Sequence, residues 1–204
     1  MAYPTVAGPY GFQPINLIGG QVFAGATRQI PIASGSGTSI YYGDVVRLNT
    51  GGTLSRVSTT DSATDAVGIF LGCAFTNPTT KQFLQQQYYP ASTVASDIVA
   101  YVCDDPDTYF KVAVLSDSTT IGGMTQTDIG NNVAMLVTAG STTTGDSKEG
   151  VSATTGSATT LPFRVIAVVP DTAYVVSGVT VYPEVIVKIN NPQYTALTGT
   201  TYTA

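Results

Sequence analysis

Residues 41–72 read YYGDVVRLNTGGTLSRVSTTDSATDAVGIFLG, and this stretch decides the fold. Val45, Val46 and Leu48 form an apolar run that stops at the turn signal Asn49-Thr50-Gly51-Gly52, after which Leu54, Arg56 and Val57 begin a return strand. A loop over 58–65 leads into Val67-Gly68-Ile69-Phe70-Leu71, which is apolar on both faces and so predicts an interior strand. The pattern is a β-meander, and no residue in it carries catalytic chemistry.

Upstream, residues 1–20 hold three prolines, several glycines and the mixed run 12–18, the mark of an extended arm. Backbone in such an arm finds partners on its own sheet edge or, by strand addition, on a neighbouring subunit. Residues 21–32 carry Val22, Phe23, Ile30 and Ile32, and a Gly-Ser loop follows at 33–39. Gly35-Ser36-Gly37 precedes no helix, so it reads as a turn rather than a phosphate cradle.

Downstream, residues 81–89 (KQFLQQQYY) fit either a short helix or a strand lying against a partner. Residues 98–103 and 109–115 are strands around a turn at 104–107, a pattern that predicts a hairpin. A short strand is expected at 133–137, and two strong β segments at 161–169 and 179–189. Between them, 138–160 is almost wholly Thr, Ser, Gly and Ala, with charges at Asp146, Lys148 and Glu149, and predicts an exposed excursion with room for a short strand at 149–153. Residues 190–204 form a tail. The expected architecture is all-β, a small barrel or sandwich with little or no helix, divided into an arm and edge strand over 1–40 and one β domain over 41–204.

Composition supports this class. The 204 residues suffice for one substantial core without metals or disulfides. Only 10% are charged, against about 25% in ordinary soluble domains, whereas Thr occurs 32 times and favours strands through its β-branch. A net charge of -5 with eight scattered basic residues argues against nucleic-acid binding, and no apolar run is long enough for a membrane helix. Neither a secretory leader nor a permissible glycosylation sequon is expected, since Asn77 is followed by Pro78.

The chain has no His, which removes Ser-His-Asp and Cys-His catalysis and His-ligated zinc. Two carboxylates across a sugar cleft would be the remaining hydrolytic device, but Glu149 and Glu184 are the only glutamates and Trp is absent. No catalytic, cofactor-binding or metal residue is therefore assigned, and the expectation is a protein that is not an enzyme. Asp104, Asp105 and Asp107 form the densest acidic group. They lack the ligand loop of a calcium site and, with Pro106, are read as a β-turn. Asp44, beside Gly43, is read as a turn or edge residue, and with Arg47 as the polar pair that faces a neighbour. Cys73 and Cys103 end the apolar segments IFLGC and IVAYVC and are read as small buried hydrophobes; a disulfide would need neighbouring strands in an oxidising compartment.

At Gly43-Asp44-Val45-Val46-Arg47-Leu48, then Gly51-Gly52-Thr53-Leu54, then Val67-Gly68-Ile69, the sequence resembles small capsid decoration (cement) proteins of tailed bacteriophages. The wider chain, from PYGFQPINLIGGQVFAGATRQIPI to YPEVIVKIN, is similar to structural proteins of cyanophages. The resemblance implies a virion protein, most often a homotrimer, that sits outside the capsid and clamps neighbouring major capsid subunits, assembled from the host cytoplasm. It transfers no catalytic residue. Removing residues 1–20 is then expected to weaken shell attachment more than folding. A rival reading is an adhesive fibre or tail module in which the twelve tyrosines and the 138–160 segment meet host glycans, although no internal repeat supports a fibre shaft. A major coat subunit is a weaker third reading, because no long spine helix is expected.

Overall fold

The computed structural model describes residues 8–58, 66–117, 120–172, 182–190 and 192–193. The first seven residues, nearly all of the 58–65 loop, the start of the 179–189 segment and most of the 190–204 tail lie outside them. Among the described residues the fold is all-β, as a closed five-stranded barrel and a second curled sheet, with helix limited to two 3-10 turns at Gln126–Asp128 and Pro170–Thr172.

The meander forms as its pattern dictates. Strands β3 (Val45–Leu48) and β4 (Leu54–Arg56) pair antiparallel, with Val46 opposite Arg56 and Leu48 opposite Leu54. Their turn closes through Asn49 N–H to Thr53 O at 2.9 Å, and Gly52 takes a φ of +72° that side chains rarely tolerate. β5 (Gly68–Thr76) lies on the other side of β3 and is buried over most of its length. Beyond it come β7 (Val99–Cys103) and then β2 (Arg28–Pro31), while β6 (Phe83–Gln86) pairs the far half of β5. The segment 81–89 thus resolves as strand. Past β2, Ile32 bridges Leu54 of β4, so the sheet curls around Ile30, Ile32, Ile40, Val46, Leu54, Phe70, Phe75 and Tyr89.

The barrel runs β8 (Thr108–Leu115), β10 (Gly150–Gly156), β9 (Asn132–Leu136), β11 (Phe163–Val168) and β12 (Glu184–Ile189), and β12 returns to β8. Alternation fills its interior with Phe110, Val112 and Val114 of β8, Val185, Val187 and Ile189 of β12, and Phe163 and Val165 of β11. Val45, Ile69 and Cys103 of the second sheet join the same cluster, so one apolar core binds barrel to sheet.

Residues 8–40 supply edge strands to both units. β1 (Gln13–Leu17) pairs β8, and β2 pairs β7. Phe12 is fully buried and stacks on Phe163 with ring centroids 4.5 Å apart.

Two expectations are corrected. The 98–115 pair is not a hairpin, because the turn at 104–107 passes the chain from the second sheet into the barrel, where β8 pairs β1, β10 and β12. The 138–160 segment is exposed at 142–144 and 157–160 and holds the strand expected at 149–153, but its middle is not an exposed excursion, because β10 sits in the barrel wall, parallel to β8 and antiparallel to β9, with Ser147, Glu149 and Val151 fully buried. Its small residues are what the wall requires. A Cβ at Gly150 would lie 2.6 Å from Leu115 Cδ1 and 2.9 Å from Ala113 O.

Candidate functional site

The only described grouping of two acids and a base that is sealed from solvent lies where the barrel meets the second sheet. Asp44 precedes β3, Arg56 ends β4 and Glu149 precedes β10. Arg56 Nε and Nη2 each approach Glu149 Oε1 at 2.9 Å, and Nε lies 3.1 Å from Asp44 Oδ2. Arg56 also donates to the Thr138 carbonyl, Val45 N–H donates to Glu149 Oε2 at 2.9 Å, and Tyr41 N–H donates to Asp44 Oδ2 at 2.8 Å. Both carboxylates are fully buried and the Arg56 side chain is 12% exposed. The cluster ties three backbone segments together through charge-assisted hydrogen bonds. Asp44 is therefore the turn residue the sequence allowed, with its own N–H bonded to Tyr41 O, and it does not face a neighbour. Arg47 is half-buried, and its Nε donates to Ser55 Oγ at 3.2 Å.

Two buried carboxylates against one guanidinium leave the cluster short of positive charge. Burial drives the Glu149 carboxyl well above its ordinary 4.5, the nearby Asp44 charge adds to this, and Arg56 pulls against it. Burial likewise raises Asp44, opposed by Arg56. The pair titrates as a unit above ordinary carboxylates. Since both groups bind protons more tightly in the folded state, their stabilisation is complete below the ordinary carboxylate range and is lost as pH climbs through the raised values. The chain is expected to melt higher at about pH 5 than at about pH 8, and Glu149→Gln is expected to flatten that slope in scanning calorimetry. An unchanged slope in the Glu149→Gln protein would exclude the cluster as its origin.

Glu184 is engaged elsewhere. Tyr10 donates its hydroxyl to Glu184 Oε1, Lys111 Nζ lies 3.3 Å from the same oxygen, and that ammonium sits 5.5 Å from the Tyr10 ring centroid. Burial and the Glu184 carboxylate push the Tyr10 phenol far up, so it remains a donor. Both glutamates thus serve separate buried contacts between segments instead of facing each other across a cleft.

The acidic turn divides its charges. Arg28 Nε lies 2.7 Å from Asp104 Oδ2, Asp105 Oδ1 accepts the Asp107 N–H at 2.8 Å, and Lys188 Nζ reaches Asp107 Oδ1 at 3.2 Å. Burial lifts the Asp104 carboxyl above its ordinary value, against the pull of Arg28. Asp105 alone bonds a local amide as a turn residue does, whereas Asp104 and Asp107 are held by cations on β2 and β12. Cys73 and Cys103 lie on neighbouring strands but are both free: Cys73 pairs with Ala100, Cys103 pairs with Ile69, and the two belong to different cores. Burial pushes their thiols up to about 12 and about 11, which keeps them protonated.

No protein-family model, curated protein or solved structure matches this chain.

What the sequence reasoning missed is the partnership of Arg56 with residues 44 and 149. The signal was present: an arginine between Leu54 and Val57, in a strand with an apolar face, needs a carboxylate partner wherever that face is covered.

Proposed function

We propose that this chain is a non-enzymatic structural protein of a tailed-phage virion, which sits on the outer surface of the head as a homotrimer and ties neighbouring major capsid subunits together. The resemblance at 43–54 and 67–69 motivates the reading. The observation that carries it is the N-terminal hairpin. Residues 13–23 turn back on themselves, with Leu17 N–H bonded to Gln21 O at 2.7 Å and Asn16 bridging Val22. Just past the end of β1, Ile18 in the turn is 46% exposed and Val22 on the returning segment 74% exposed. A β-edge carrying aliphatic side chains into solvent suits burial against another subunit. The buried charges fit the same reading, because Asp44, Arg56, Glu149 and Glu184 are all spent on holding segments of this chain together.

Ile18→Asp with Val22→Asp is expected to reduce co-sedimentation with purified heads by about tenfold or more, the loss of roughly two aliphatic contacts. The melting temperature should stay put, since neither side chain is in the core. Normal attachment by the double variant would sink the proposal. Copy number separates it from the adhesin reading, because hundreds per virion fit a shell component and a few at one vertex do not.

A further inference from the structure

The outer face of the second sheet emerges from beneath the barrel as a groove without a charged lining. The face that seals the barrel with Val45, Ile69 and Cys103 continues along β5 and β7 to positions the barrel does not cover. There, Gly72 lies opposite Tyr101, Ala74 lies opposite Gln85 and Val99, and Tyr101 lies opposite Gln29 of β2. Gly72, which has no side chain, leaves a low floor between Gln85 and Gln87 on one side and Tyr101 on the other, and Tyr42 and Leu71 complete the lining. The resulting groove is about 430 Å³. Gln85 Nε2 reaches Tyr101 Oη at 3.4 Å across the floor, and Gln87 Nε2 is held by Asp146 Oδ1 at 2.5 Å.

We propose that this groove binds a neutral oligosaccharide. A carboxamide offers a donor and an acceptor side by side, the arrangement that adjacent sugar hydroxyls complement, and a phenol offers a ring face for sugar C–H groups together with a polar tip. Gln85, Gln87, Tyr42 and Tyr101 supply both types of contact around a groove of about 430 Å³. The absence of charge in the lining disfavours anionic sugars and nucleotides, which need Arg or Lys. The contacts come from a sheet face and not from the free edge of β6, which distinguishes the groove from a strand-addition site for a peptide. The inference is independent of the shell-binding proposal, since a groove on the isolated chain binds sugar or does not, wherever the protein resides. A shallow, open site implies a Kd on the order of 1 mM, made effective by many copies on one particle.

The test is a two-dimensional NMR titration of the isolated full chain with neutral trisaccharides built from glucose, mannose, galactose and N-acetylglucosamine, and with sialyllactose as the anionic control. At least one neutral trisaccharide should produce saturable shifts in the side-chain amides of Gln85 and Gln87 and the backbone amide of Gly72. Gln85→Ala, an exposed position, should raise its Kd about tenfold without moving the melting temperature, one lost pair of hydrogen bonds. Tyr101→Ala should do the same. Saturable binding that survives both substitutions, shifts from sialyllactose alone, or no shift from any trisaccharide at roughly twentyfold above that Kd would each overturn the proposal. Broadening of the same signals with protein concentration alone would also overturn it, by making the groove a contact between copies.

Discussion

Replacing Arg56 with methionine is expected to cost about 3–5 kcal/mol of folding stability at neutral pH, read as a lower urea midpoint. The side chain is 12% exposed, and it is the one cation that the structure places between Asp44 and Glu149. Methionine fills comparable space, so packing loss is small and the electrostatic term dominates. Without the guanidinium, two carboxylates remain at the barrel–sheet junction with only backbone N–H groups and the Ser147 hydroxyl as donors, and the Thr138 carbonyl loses the bond it receives from Arg56. The mechanism makes a second result obligatory. Adding Asp44→Asn and Glu149→Gln to the Arg56→Met background should recover most of the loss, because buried amides need no counter-ion. Lowering the pH should recover part of it by protonating the carboxyls. A cost below about 1 kcal/mol for Arg56→Met would mean that water reaches the cluster and that it does not hold the junction.

The same cluster marks the boundary of what the sequence made legible. The hairpin at 45–57 and the interior strand after Val67 were readable because turn chemistry and apolar alternation are local signals, and the described strands β3, β4 and β5 follow them closely. Pairing between distant strands is not local. A strand, an acidic Pro turn and another strand look alike whether the chain doubles back or crosses between sheets, so the route from β7 to β8 was hidden. The 138–160 segment was misread because hydroxyl-rich composition with three charges was equated with exposure. Threonine is also a strand former, and the partner that neutralises Glu149 stands 93 residues away on β4. The groove under Gln85 and Tyr101 was hidden for a similar reason, since it needs β6, β5 and β7 side by side. The cysteines were legible as buried hydrophobes because their flanking runs are apolar.

Phe12→Ala is expected to cost about 3–5 kcal/mol, as large as the loss of Arg56, through a cavity in place of a charge defect. Phe12 is fully buried, stacks on Phe163 of β11 at 4.5 Å with an interplanar angle of 19°, and donates its N–H to Gly43 O at 2.9 Å. The neighbouring Gly11, at φ +78°, leaves no room for a side chain, since a Cβ there would lie 2.7 Å from Gly43 O and 2.6 Å from Ser147 Cβ. Residues 10–12 are therefore wedged between the start of the meander and the lead into β10, with Tyr10 anchored on Glu184. These contacts argue against the expectation that removing residues 1–20 weakens shell attachment more than folding. A chain lacking 1–20 should fail to fold, because it loses Phe12, Tyr10 and all of β1 together. Calorimetry on Phe12→Ala, set beside Ile18→Asp with Val22→Asp, separates the two duties of the segment. The first variant should melt far lower, and the second should melt normally and fail only on heads. Equal melting temperatures for Phe12→Ala and the parent chain would show that the N-terminal segment is not part of the core after all.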